Sequence, residues 1–143
     1  MIYSKLVKIA CDVMFDAHKD DVDKGGYPYV FHPWHLAEQM STEDEVCAAL
    51  LHDVVEDHGD QYSIERLRKM GFSDATMDAL ELLTHRDEEY LEYVKKLSGN
   101  QIARKIKLAD LEHNMDASRI DGVVRKKNEL YKEAYSFLKS LEQ

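Results

Sequence analysis

Four ionisable residues crowd together at His52, Asp53, Glu56 and Asp57, in the otherwise apolar run from Ala48 to Asp57. On a helix turning roughly 100° per residue they share an arc of about 140°. A helix this apolar is expected to be buried, and unpaired buried charges are costly. A divalent cation held by that arc resolves the conflict; the plainer alternative is a solvated face bridged to lysines. A second cluster favours the cation. Asp110 and Asn114 lie one turn apart on one helix face, directly after the core-type pair Leu108-Ala109. A carboxylate pointing inward there again calls for a positive partner. His32, just before Pro33, is the third element. Alone it reads as a cap or a surface residue, and its weight comes from the other two clusters.

The spacings match no zinc motif, since neither HExxH nor a CxxC pair occurs. Two imidazoles and two carboxylates form a harder ligand set than structural zinc sites use. That favours one divalent ion that tolerates six ligands and keeps water in its shell, Mn²⁺ ahead of Zn²⁺ or Fe²⁺. Such an ion acidifies water and polarises a phosphoryl oxygen. Glu56, one turn from His52, is well placed as a general base.

The elements that must position these groups read as helices nearly throughout. Ile2, Leu6, Ile9, Val13 and Ala17 recur at helical spacing. Residues 19–31 break the period, and Gly25-Gly26 and Pro28 mark a loop. His32-Pro33 opens a short helix. The capping box from Thr42 to Glu45 starts a helix that ends at His58-Gly59-Asp60. Further helices are expected near 63–70, 74–84, 87–97, 100–117 and 123–142. No stretch alternates with period two, so the fold class is all-α.

With 143 residues, 44% hydrophobic and 33% charged, the chain suits one globular domain. Cys11 and Cys47 sit in apolar helical patterns and read as free thiols of a cytoplasmic protein. No signal peptide or membrane span is visible. A net charge of −9 speaks against a nucleic-acid partner, while a small nucleotide remains acceptable beside a metal ion. The oligomeric state is not readable.

His32, His52-Asp53 and Asp110 also follow the order H…HD…D, and on these residues the chain resembles the HD phosphohydrolase superfamily. More specifically, it is similar to the hydrolase domain of RelA/SpoT proteins and to the small alarmone hydrolases. Three stretches carry the likeness: Ala17-His18 with Lys24 and Gly26 to Pro33, then Leu50 to Asp57, then Lys107 to Asp110 with His113-Asn114-Met115. The resemblance implies a single compact helical HD-domain bundle over residues 1–143 that removes the 3′-pyrophosphate of (p)ppGpp using Mn²⁺. It implies metal ligation by His32, His52, Asp53 and Asp110, with Glu56 and Asp57 orienting or deprotonating the attacking water. It also implies that Asn114 contacts the nucleotide, that Lys24 faces phosphates, and that Thr84 faces the site. Two positions depart from the family. Asp23 stands where an arginine usually precedes the lysine, and Leu111 replaces the arginine of the family's Ala-Asp-Arg-Leu-His-Asn run. An acidic group at position 23 would repel a pyrophosphate. Hydrolysis of another nucleotide's phosphomonoester therefore stays open, as does a non-catalytic metal- or nucleotide-binding module. His35, one turn from His32, reads as a surface residue ahead of a competitor for the ion; His58, His85 and His113 carry no defensible pattern, although His113 could stand behind the ligands; Lys107 reads equally as surface or site, and Tyr27, Tyr29 and Trp34 read as core or base-stacking aromatics.

Overall fold

Beyond its acidic first turn, helix α3 (Glu43–Leu51) is apolar on every side, and all its residues from Val46 to Leu51 are buried. A helix with no polar face must be covered all round. The covering elements are α1 (Lys5–Ala17), α2 (Phe31–Glu38), α6 (Asp74–Leu83) and α8 (Gln101–Met115), each packed directly on α3. The short α4 (Val54–His58) continues from α3 and touches α1, while α5 (Ile64–Lys69) rests on α6. Helix α7 (Tyr90–Leu97) contacts α6 and α9 (Asn128–Ser140), and α9 lies along α8. The computed structural model describes residues 1–116 and 127–142. Among the described residues there is no strand, only an isolated antiparallel bridge between Val22 and Pro28. Among the described residues no helix is long and apolar enough to cross a membrane.

The helix starts follow from local chemistry. Ser4, Ser63, Ser73 and Asn100 accept hydrogen bonds from the N–H groups of Val7, Arg66, Thr76 and Ala103. Thr42 and Glu45 form the expected reciprocal capping box. Each such cap contributes on the order of 1 kcal/mol. The Ser73 hydroxyl also donates to Asp44 at 2.7 Å, which ties the start of α6 to the start of α3.

Three boundaries differ from the sequence expectation. The single helix expected from Glu43 to His58 is interrupted at His52-Asp53. Helix α7 begins at Tyr90 rather than 87, after a Glu89 whose side chain makes no capping bond. Helix α8 ends at Met115, and the expected start of the last helix at 123 lies outside the described residues.

The loop between α1 and α2 is a small turn in its own right. Asp23 accepts from the N–H groups of Gly25 (2.9 Å) and Tyr27 (3.0 Å), and its own N–H donates to the Tyr27 carbonyl at 2.8 Å. Gly26, at φ +84°, supplies the left-handed residue such a turn needs.

Leu111, at the family's arginine position, is fully buried in the core. Leu111→Ala is therefore expected to lower stability by about 2–5 kcal/mol, seen as a reduced urea midpoint with an unchanged m-value.

Candidate active site

The interruption after α3 has a local cause. The imidazole Nδ1–H of His52 donates to the Ala49 carbonyl at 2.8 Å, and the His52 backbone N–H reaches the same oxygen at 3.4 Å. This three-residue spacing tightens the end of α3, and Asp53 then heads α4 with φ −107° and ψ −1°. Because a carbonyl can only accept, Nδ1 carries a proton, and Nε2 is the His52 nitrogen that faces inward. That Nε2 atom is buried and has no hydrogen-bond partner. It lies 3.1 Å from Asp53 Oδ2 and 3.6 Å from Asp110 Oδ1. The expected single helical arc is thus corrected: a bend, not a continuous helix, turns His52 and Asp53 toward one point.

His32 arrives from the first turn of α2, buried, with Nε2 2.8 Å from Asp110 Oδ1. Its other nitrogen is 2.7 Å from Nδ1 of His113, whose ring stacks on it and on exposed His35. Asp110, from α8, accepts from Lys107 Nζ and from Asn114 Nδ2, each at 2.9 Å. The Tyr29 hydroxyl donates to Asp53. One nitrogen or oxygen from each of His32, His52 and Asp53 lies within 4.8 Å of the others. A partnerless imidazole nitrogen facing two carboxylates is the arrangement a divalent ion completes, so these residues fit a metal.

Burial alone would raise both carboxyl pKa values, but neighbouring cations outweigh it. Lys107 and the His32 contact hold Asp110 well below the usual carboxylate range, and the His52 charge holds Asp53 low. Lys107 is buried too, and despite burial the Asp110 charge keeps it protonated. Its ammonium also lies 5.3 Å and 5.2 Å from the ring centres of Tyr90 and Tyr93. Glu56 and Asp57 behave in the opposite way. Burial, and then the Asp53 charge, raises both, Asp57 to about 6. Glu56 Oε1 accepts the His85 backbone N–H at 2.7 Å.

A cleft of about 260 Å³ joins these groups. Its wall includes Asp53, Glu56, Asp57, Lys107, Asp110 and Asn114, with Tyr29, Tyr90 and Tyr93 beside them. Two expected substrate contacts lie elsewhere. Lys24 stands exposed in the loop between α1 and α2 and does not line the cleft. Thr84 is buried, and its hydroxyl donates to the Leu80 carbonyl at 2.8 Å because this residue closes α6. Tyr27 and Trp34 line a separate groove with Asp23, Phe31, His35 and His113. The sequence leaves Lys107 undecided, offers His113 only as a group behind the ligands, and gives no sign of the contact between Tyr29 and Asp53. The Lys107–Asp110 pair has i,i+3 spacing and was legible in principle. Nothing in the sequence pairs Tyr29 with Asp53, 24 residues away.

No family model matches the chain. It is 34% identical over 115 residues to a guanosine-3′,5′-bis(diphosphate) 3′-pyrophosphohydrolase of Haemophilus influenzae, a match covering 70% of this chain and 17% of the relative. It is 32% identical over 124 residues to the bifunctional (p)ppGpp synthase/hydrolase SpoT of Escherichia coli K12, covering 78% of this chain and 18% of SpoT. The chain therefore spans less than a fifth of the length of these curated relatives. A solved structure, described as a metazoan ortholog of SpoT that hydrolyses ppGpp and plays a role in starvation responses, shares the fold with a TM-score of 0.75. That likeness covers 98% of this chain and 86% of the other, at 22% identity. The chain is thus an all-helical protein, similar in sequence to part of the SpoT-type (p)ppGpp 3′-pyrophosphohydrolases and in fold to a solved structure described as a metazoan ortholog of SpoT.

Proposed function

We propose that the chain is a metal-dependent phosphohydrolase that removes pyrophosphate from (p)ppGpp-type nucleotides. The observation that carries this reading is the meeting of His32 and His52 with Asp53 and Asp110, the two carboxylates lining a cleft that also holds Glu56 and Asp57. Those four side chains hold the ion, Mn²⁺ by ligand hardness, which supplies Lewis acidity toward a phosphoryl oxygen and lowers the pKa of water. Glu56, held by the His85 N–H, accepts the proton of the attacking water. Asp57, on the same short helix, orients that water. Lys107 places a fixed positive charge where phosphate oxygens gather, since phosphoryl transfer depends mainly on positioning and neutralisation. Asn114 reaches the nucleotide from the α8 side of the cleft, with Tyr90 and Tyr131 as aromatic walls. In this reading residues 1–143 act as one domain in the cytoplasm, in keeping with free thiols at Cys11 and Cys47.

A second reading is phosphomonoester hydrolysis on another nucleotide. One observation favours it: Lys24 stands outside the cleft, and the neighbouring Asp23 is engaged by its own loop backbone. A panel of nucleotides offered to the Mn²⁺-loaded protein separates the two readings. Pyrophosphate released from (p)ppGpp supports the first. Inorganic phosphate released only from monophosphates replaces it with the second, and no release from any nucleotide overturns both.

Two variants test the division of labour. Glu56→Gln keeps the shape but cannot take a proton, so turnover should fall by roughly 10²–10⁴-fold while metal affinity, followed by calorimetry, stays within a few-fold. Activity within about threefold of wild type would shift the base to Asp57. Asp53→Asn should instead lose both turnover and ion binding at this site. Retention of the ion with full affinity would remove Asp53 from the ligand set.

A further inference from the structure

His18, Asp21 and His58 form a second cluster that the proposed hydrolysis does not use. His18 closes α1, with its side chain fully buried; Asp21 follows in the loop; His58 ends α4. A single oxygen, Asp21 Oδ2, lies 2.8 Å from His18 Nδ1 and 2.6 Å from His58 Nε2. A nitrogen or oxygen from each of the three residues lies within 4.8 Å of the other two, as in the first site. The two imidazoles meet edge to face, 5.3 Å between ring centres.

One carboxylate oxygen is shared by the facing nitrogens of two imidazoles, so without an ion the cluster needs a proton on each of those nitrogens. The surroundings are acidic. A cleft of about 640 Å³ opens beside the cluster, and Asp20, Asp21, Glu56 and Asp57 contribute to its wall. Asp21 and His58 are 34% and 28% exposed at that wall, so an ion has a path in. Tyr29, Glu56 and Asp57 line both clefts, which makes this cluster a neighbour of the first site.

We propose that His18, Asp21 and His58 hold a second divalent cation. Two imidazoles and one carboxylate are the three-ligand set that suits Zn²⁺ with a fourth position left open. The fourth position would take water, since the carboxylates of the neighbouring cleft disfavour an anion. The ion also pins the end of α1, the loop after it and the end of α4 to one another.

The test uses Zn²⁺ as the probe and the metal-free full chain as the protein. Wild type should take up two ions by calorimetry, Asp53→Asn one, and Asp53→Asn with His58→Gln none. Zn²⁺ should raise the Tm of Asp53→Asn but not that of the double variant. Asp21→Asn, which keeps the shape and removes the charge, should weaken the second binding event at least tenfold, and circular dichroism checks that each variant is folded. A single ion in wild type that Asp53→Asn abolishes would overturn the proposal. So would an ion count and affinity unchanged by both His58→Gln and Asp21→Asn. Loss of an ion on His58→Gln with none lost on Asp53→Asn would support this second site while overturning the ligand set of the first.

Discussion

Asp110 is a carboxylate with 5% of its surface exposed, set where α2, α3 and α8 converge. An isolated charge in that position would cost several kcal/mol. The helices around it are arranged to meet that demand. α2 brings the His32 imidazole, the start of the bend after α3 brings His52, and α8 itself returns Lys107 and Asn114 to the same carboxylate. Each of these groups is buried or half-buried, and Asp110 is the neighbour they share. Lys107 in turn lies against the faces of Tyr90 and Tyr93, so α7 is drawn into the same network. The polar centre and the packing of the bundle are one problem with one solution.

The bend at His52-Asp53 is the second device. A continuous helix through this segment would have carried its four ionisable groups around a wide arc. By committing His52 Nδ1 to the Ala49 carbonyl, the chain tightens α3, fixes the tautomer and frees Asp53 to begin α4. Glu56 and Asp57 then stand on a separate short helix, across the cleft from Asp110. Their carboxyls are raised by burial and by Asp53, in contrast to the lowered carboxyls of Asp53 and Asp110. Carboxylates with divergent proton affinities in one cleft suit a division between holding a cation and moving a proton.

Outside that centre the chain has gone its own way. Asp23 is a turn-forming residue whose carboxylate serves the backbone of its own loop, and Lys24 beside it is exposed. Leu111 has become part of the hydrophobic core. Asp21 and His58 come together with His18 from the two sides of the loop, 37 residues apart in the chain.

Much of this was legible in the sequence. Helical periodicity and the Ser, Thr and Asn caps determine the helices, because capping and face burial are local interactions between residues three or four apart. The candidate ligands His32, His52, Asp53 and Asp110 also stood out, because charge inside an apolar pattern is anomalous wherever the fold later puts it. Other features are decided only in three dimensions. Whether Lys107 is solvated depends on α7 covering it, and whether Tyr29 serves Asp53 depends on a loop folding back over α4. The bend at His52 arises because a side chain outcompetes the regular ladder for one carbonyl, which no periodicity reports. Lys24 and Thr84 were assigned by position in a motif, and their surroundings sent them elsewhere: one to solvent, the other to the last turn of α6. Spacing along a helix is a property of the chain, but a site between helices is a property of their packing.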